Sequence, residues 1–164
     1  MFLQDYCYQR MFKSCYVLVN APKLPAIDME IGCYEEMFNQ CYCLEEAPEL
    51  PAKELKKICY RQMFSSCSNL KSIKADFLTA PVPFSHDDET DETTGGYTEN
   101  WVSSVAPTGT FIYNDNFVDV ERSTDCVPEG WLMLKKSQEK FITEDYKNIW
   151  KTYGGFSMHP VSPN

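Results

Sequence analysis

Thiols are the first side chains to consider for chemistry, because the 164-residue chain carries eight cysteines. A thiolate is a nucleophile, a metal ligand or half of a disulfide, and spacing decides among these roles. Six of the eight fall at two recurring places: Cys7, Cys33 and Cys59 at one, Cys15, Cys41 and Cys67 at the other. The two places are about 12 Å apart along a helix, at ~1.5 Å per residue, which is too far for a disulfide. Equivalent cysteines of successive repeats stack with parallel Cβ vectors, whereas a bridge needs converging Cβ atoms about 3.8 Å apart. Cysteine is also a small, readily buried hydrophobe, so the pattern reads as two ladders of packed thiols. Cys43 and Cys126 lie outside these ladders. Cys41-Tyr42-Cys43 is the nearest approach to a zinc cluster, yet the two histidines, His86 and His159, are remote from it. Neither a metal nor a redox role is expected of the thiols.

Carboxylates are the second candidate. Asp87, Asp88, Glu89 and Asp91 form a weak calcium candidate, since a hard cation takes carboxylate oxygens. The run lacks the alternating ligand spacing and turn glycine of a calcium loop, so a solvated acidic stretch is the reading preferred. Nothing else assembles a nucleophile, base and orienting group, and no Gly-rich phosphate loop or GxSxG elbow occurs. The chain is therefore read as a non-enzyme with no cofactor.

The elements that position these residues follow from a 26-residue repeat. Cys7-Tyr8-Gln9-Arg10-Met11-Phe12-Lys13-Ser14-Cys15 returns as Cys33-Tyr34-Glu35-Glu36-Met37-Phe38-Asn39-Gln40-Cys41, and again from Cys59 to Cys67. A leucine follows each (Leu18, Leu44, Leu70), and Ala-Pro-x-Leu-Pro-Ala follows two of them, from Ala21 and from Ala47. Cys33, Tyr34, Met37, Phe38 and Cys41 form one apolar face, which predicts a short helix in each repeat. A turn and a short strand such as Leu44 to Ala47 come next, ended by Pro48 and Pro51. Repeats of this length bury their apolar faces by stacking, so the expected fold is an α/β solenoid, with a parallel sheet on one face and short helices on the other.

Four segments result: three repeats over 1–75, an acidic loop over 76–99, a capping block of the same solenoid over 100–134, and a C-terminal helix and tail over 135–164. In the last, Thr143 caps a helix with Tyr146, Ile149, Trp150 and Tyr153 on its apolar stripe. Within the capping block, Thr110 to Tyr113 reads as a strand, and Pro128 to Leu132 as a turn into another.

Composition restricts the partners. The net charge is −9, yet residues 82–100 alone hold six carboxylates and no Lys or Arg. No basic stripe is available for a nucleic-acid backbone. No run approaches the ~20 apolar residues of a membrane span. Asp5 and Arg10 interrupt what would be the apolar part of a signal peptide. The first repeat begins almost at Met1 with no polar cap, so the chain reads as a fragment of a longer array or one whose open end another molecule covers. A homodimer through that end is one expectation.

The positions after each leucine are Val19 and Asn20, Glu45 and Glu46, Lys71 and Ser72. They vary while their neighbours repeat, as a recognition surface on a constant scaffold does. They are the candidate partner-binding residues, the alternative being plain solvated positions. The ligand is a protein or a glycan.

The Cys-Tyr-x-x-Met-Phe-x-x-Cys-x-x-Leu-x-x-Ala-Pro-x-Leu-Pro-Ala unit over residues 7–75 resembles the BspA-like leucine-rich repeats of bacterial surface proteins, in their Cys- and Met-rich form. Asn100-Trp101-Val102-Ser103 through Gly109-Thr110-Phe111, with Pro128-Glu129-Gly130-Trp131, resembles the terminal unit that follows such arrays. The resemblance implies a right-handed leucine-rich-repeat solenoid used for adhesion or protein binding, at the cell surface or secreted. The chain departs from it in having few repeats and no export signal or lipoprotein cysteine near Met1. A cytoplasmic location, which the unpaired thiols would tolerate, therefore remains open.

Overall fold

The structure, a computed structural model, describes residues 3–78, 85–87, 92–118 and 120–141. Five strands occur among them: β1 (Ser72–Ala75), β2 (Ser85–Asp87), β3 (Glu92–Thr94), β4 (Thr110–Tyr113) and β5 (Leu132–Lys135). A 3-10 helix, Lys136–Phe141, follows β5 directly. β1, β4 and β5 form a parallel sheet in the order β1-β4-β5, and β2 pairs antiparallel with β3.

The expected α/β solenoid is not what forms. No α-helix occurs among the described residues, and most of them are turn and irregular backbone around the three-stranded parallel sheet. The segment Leu44 to Ala47, expected as a strand, contributes one bridging residue, Glu46. Within 76–99, read as a loop, β2 and β3 pair. The helix expected from Thr143 lies outside the described residues.

Hydrogen bonding explains the missing helices. In residues 31–41 the odd-numbered amides donate three residues back: Glu35 to Gly32, Met37 to Tyr34 and Asn39 to Glu36, at 3.1–3.2 Å. The even-numbered amides leave the segment altogether. Gly32, Tyr34, Glu36, Phe38 and Gln40 donate to the carbonyls of Lys57, Cys59, Arg61, Met63 and Ser65 at 2.8–3.1 Å. A helix would consume every one of these donors internally. Here half of them join one segment to the next, and the chain turns by tight four-residue steps.

Each step is closed by a residue of left-handed backbone: Gly32, Glu36 and Gln40 in this segment, at φ between 52 and 64°. Tyr6, Arg10 and Ser14 do the same in the preceding segment, and Ile58, Gln62 and Ser66 in the following one. Such a residue every fourth position is incompatible with a continuous right-handed helix.

Four turn segments therefore lie side by side: 5–15, 31–41, 57–67 and 95–105. The fourth receives amides from Ile58, Tyr60, Gln62, Phe64 and Ser66 on the carbonyls of Gly95, Tyr97, Glu99, Trp101 and Ser103, at 2.7–3.3 Å. It places Tyr97, Trp101, Val102 and Val105 where the earlier segments have Cys59, Met63, Phe64 and Cys67. Sequence inspection missed this segment because an insertion that contains β2 and β3 breaks the 26-residue period.

The core runs through the stack. Tyr8, Tyr34 and Tyr60 stack at 5.7 and 6.2 Å between centroids, and Phe12, Phe38 and Phe64 at 5.6 and 5.8 Å. Both columns end against the fully buried Trp101. Its indole N–H donates to the Cys126 carbonyl at 3.0 Å, which satisfies its single polar atom. Cys126 thus belongs to the closure of the stack.

Candidate binding face

The stacking sets the candidate positions in columns. Asn20 bridges Glu46, Glu46 bridges Ser72, and Ser72 pairs with Thr110 and Thr110 with Leu132, all parallel. Asn20, Glu46 and Ser72 are therefore neighbours on one ladder, although they are 26 residues apart in sequence. Val19, Glu45 and Lys71 form the adjacent column. All six are exposed except Ser72, which is half-buried. The leucines behind them turn inward: Leu44 and Leu70 are fully buried.

Glu45 and Lys71 pair across the ladder at 2.9 Å, and both side chains are about half exposed. Such a pair contributes under about 1 kcal/mol to stability, so both charges remain available to a partner. Beside them lie apolar residues that sequence reasoning did not single out. Tyr16 and Tyr42 stack at 5.2 Å while remaining 52% and 42% exposed, and Val17 is 83% exposed. The signal was present in Cys15-Tyr16 and Cys41-Tyr42, but the third repeat has Ser68 in that place, so the tyrosine does not recur through all three repeats. The columns are thus charged at Glu45, Glu46 and Lys71 and apolar at Val19, and the turns before them in sequence expose Tyr16, Val17 and Tyr42.

On the adjoining turn surface, two buried carboxylates organise the charges. Glu35, fully enclosed, accepts from Gln9 Nε2 at 2.5 Å and from Arg61 Nε at 2.7 Å. Glu36 Oε1 accepts from Arg10 Nε and Nη2 at 3.0 and 2.6 Å, and Oε2 from Lys13. Burial pushes the Glu36 carboxyl up, but the hydrogen bonds and charges of Lys13 and Arg10 outweigh it and hold it below its ordinary value. These groups are saturated with partners and serve cohesion.

The five buried thiols, Cys33, Cys41, Cys59, Cys67 and Cys126, are poorly suited to chemistry. Burial pushes Cys33 and Cys41 up to about 11 and Cys67 to about 12, and it raises Cys59 and Cys126 as well. Cys41 Sγ donates to the Phe12 carbonyl at 3.1 Å, and Cys67 Sγ to that of Phe38 at 3.0 Å. Among the described residues no group of three His, Cys, Asp or Glu is arranged to hold a metal. Of the calcium candidate, Asp87 ends β2, whereas Asp88, Glu89 and Asp91 lie outside the described residues.

No helix among the described residues is long and apolar enough to cross a membrane. Comparison of the chain with protein-family models, with curated proteins and with solved structures returned no match.

Proposed function

We propose that the protein is a non-catalytic interaction module that holds a protein or glycan partner on the face formed by Val19, Asn20, Glu45, Glu46, Lys71 and Ser72. The observation that carries this reading is the register of Asn20, Glu46 and Ser72 on one parallel ladder. Three positions that differ in every repeat stand side by side at the surface, while the leucines that precede the second and third are buried. The exposed Tyr16–Tyr42 stack stands in the turns that lead into these columns in sequence and offers aromatic area of the kind that interfaces use. The resemblance to bacterial surface repeats supports a role in adhesion at the cell exterior.

Capture tests the reading. The immobilised protein is exposed to matrix and bacterial extracts beside a Glu45→Lys/Glu46→Lys/Lys71→Glu variant. A partner retained by the parent and lost by the variant is the expected result. Retention by both would remove the binding role from this face.

A second reading, an assembly subunit that stacks through the end formed by residues 5–15, is favoured by the exposure of Tyr6 and Met11 there, at 44% and 59%.

A further inference from the structure

The bonds between turn segments all run one way. Each segment donates its alternate amides to the segment that follows it in the chain, and each receives on its alternate carbonyls from the one before. The carbonyls of Ile31, Cys33, Glu35, Met37 and Asn39 accept from Tyr6, Tyr8, Arg10, Phe12 and Ser14 at 2.8–3.0 Å. Their equivalents in the first segment are the carbonyls of Asp5, Cys7, Gln9, Met11 and Lys13. None of these five accepts a backbone hydrogen bond from any described residue. They form a row of acceptors along the outer edge of the stack. Beside the row, Tyr8 and Phe12 each have a ring stacked on one side by Tyr34 and Phe38, and both remain only partly buried. Arg10 contributes a cation there whose side chain is 54% exposed even with Glu36 engaged.

The opposite end presents the reverse chemistry and is closed at its middle. Asn100 N–H donates to Asp125 Oδ1 at 2.6 Å, and Val102 N–H to the Thr124 carbonyl at 3.2 Å. These two donors, of the five that continue the row, already have acceptors supplied by the chain itself.

We propose that residues 5–14 form a docking edge for a polypeptide segment that presents a row of backbone N–H groups at every second residue, with aromatic side chains over Tyr8 and Phe12 and a carboxylate near Arg10. This inference rests on the stacking reading above and names its partner. A second copy of this chain fits less well. Two copies meeting by this edge would set carbonyl against carbonyl, and the edge meeting the other end of a copy would find Asn100 and Val102 already bonded. A turn segment like 31–41, with its alternate amide donors, Tyr34, Phe38 and the carboxylates of Glu35 and Glu36, supplies all three features at once.

The probe is therefore a synthetic peptide of residues 27–52, which carries the donors of Tyr34, Glu36 and Phe38. It is titrated into the full chain and followed by calorimetry and amide hydrogen exchange. Saturable one-to-one binding, with slowed exchange at the peptide's Tyr34, Glu36 and Phe38, is the expected result. N-methylation of those three amides replaces each donor with a methyl group and should weaken binding by about a hundredfold, whereas N-methylation at Glu49 should not. Equal binding by the trimethylated peptide would overturn the donor-row inference while leaving stacking at this end intact. Absence of saturable binding at millimolar peptide would overturn both. Concentration-dependent dimerisation of the chain alone, abolished by Met11→Asp, would also overturn it, since a second copy would then be the occupant.

Discussion

The Glu36 carboxylate shows how charge is managed at the level of single residues. It is 4% exposed, and Arg10 and Lys13 hold it ionised from the neighbouring segment. Its folded value lies below its ordinary one, so its stabilisation is present above about pH 4.5 and is lost as pH falls through the folded value. Glu36→Gln should therefore lower the denaturation midpoint at neutral pH and change it little in acid. The thiols have the opposite sign. With Cys33 and Cys41 raised to about 11, the neutral thiol favours the folded state below the ordinary value of 9.0, and that contribution disappears as pH rises through 11. Thermal melts should show a steep loss of stability above pH 9. At pH 8, native alkylation read by mass spectrometry should modify Cys7, Cys15 and Cys43, which are exposed or half-buried, and spare the other five. The burial of the thiol ladders was legible because six cysteines share two phases of one period. Cys7 and Cys15 depart from it for a reason no local pattern contains: their segment has a neighbour on one side only.

At the scale of elements, the apolar spacing in Cys33, Met37 and Cys41 is four, as it is in Tyr34 and Phe38. A helix repeats every ~3.6 residues and would drift by about 40° over that interval. Four-residue turns do not drift, so the same residues face the core without any helix. The repeat length and the apolar face were thus readable, but the donors that leave each segment for its neighbour were not. Hydrogen bonds between segments are a property of the stack. The same distinction applies to β4, where Thr110 to Tyr113 read as a strand and formed one, because its partners β1 and β5 continue the ladder of Asn20 and Glu46. Gly109 guards that sheet. A Cβ there would come within 2.6 Å of the Lys71 carbonyl and 2.7 Å of the buried Trp131 ring. Gly109→Ala should cost about 2–3 kcal/mol in urea denaturation, since neither backbone nor a packed indole yields cheaply. Phe38→Ala, in the middle of its ring column, should cost about 3–5 kcal/mol in the same assay.

Across the whole molecule, burial is graded along the stack. Residues 33–41 and 59–67 are mostly enclosed, whereas Gln9, Arg10 and Met11 remain partly or fully open. Opening should begin at that end, so native hydrogen exchange at Tyr8, Arg10, Phe12 and Ser14 should be faster than at Tyr34, Glu36, Phe38 and Gln40. Equal protection in the two sets would contradict a one-sided first segment. The uniform direction of the bonds between segments has an electrical consequence as well. In each of three segments five peptide groups point the same way along the stack, amide hydrogens toward the fourth segment and oxygens toward the first. Their dipoles add, as those of a helix do, rather than cancelling as in an ordinary sheet. The sign is the reverse of a helix read along the chain: partial negative charge collects at residues 5–13 and partial positive charge at residues 100–102. The charged side chains are placed accordingly, with Arg10 and Lys13 at the negative pole and Asp125 at the positive one. The molecule is a small electret, a body with built-in polarisation, whose two ends carry partial charges of opposite sign.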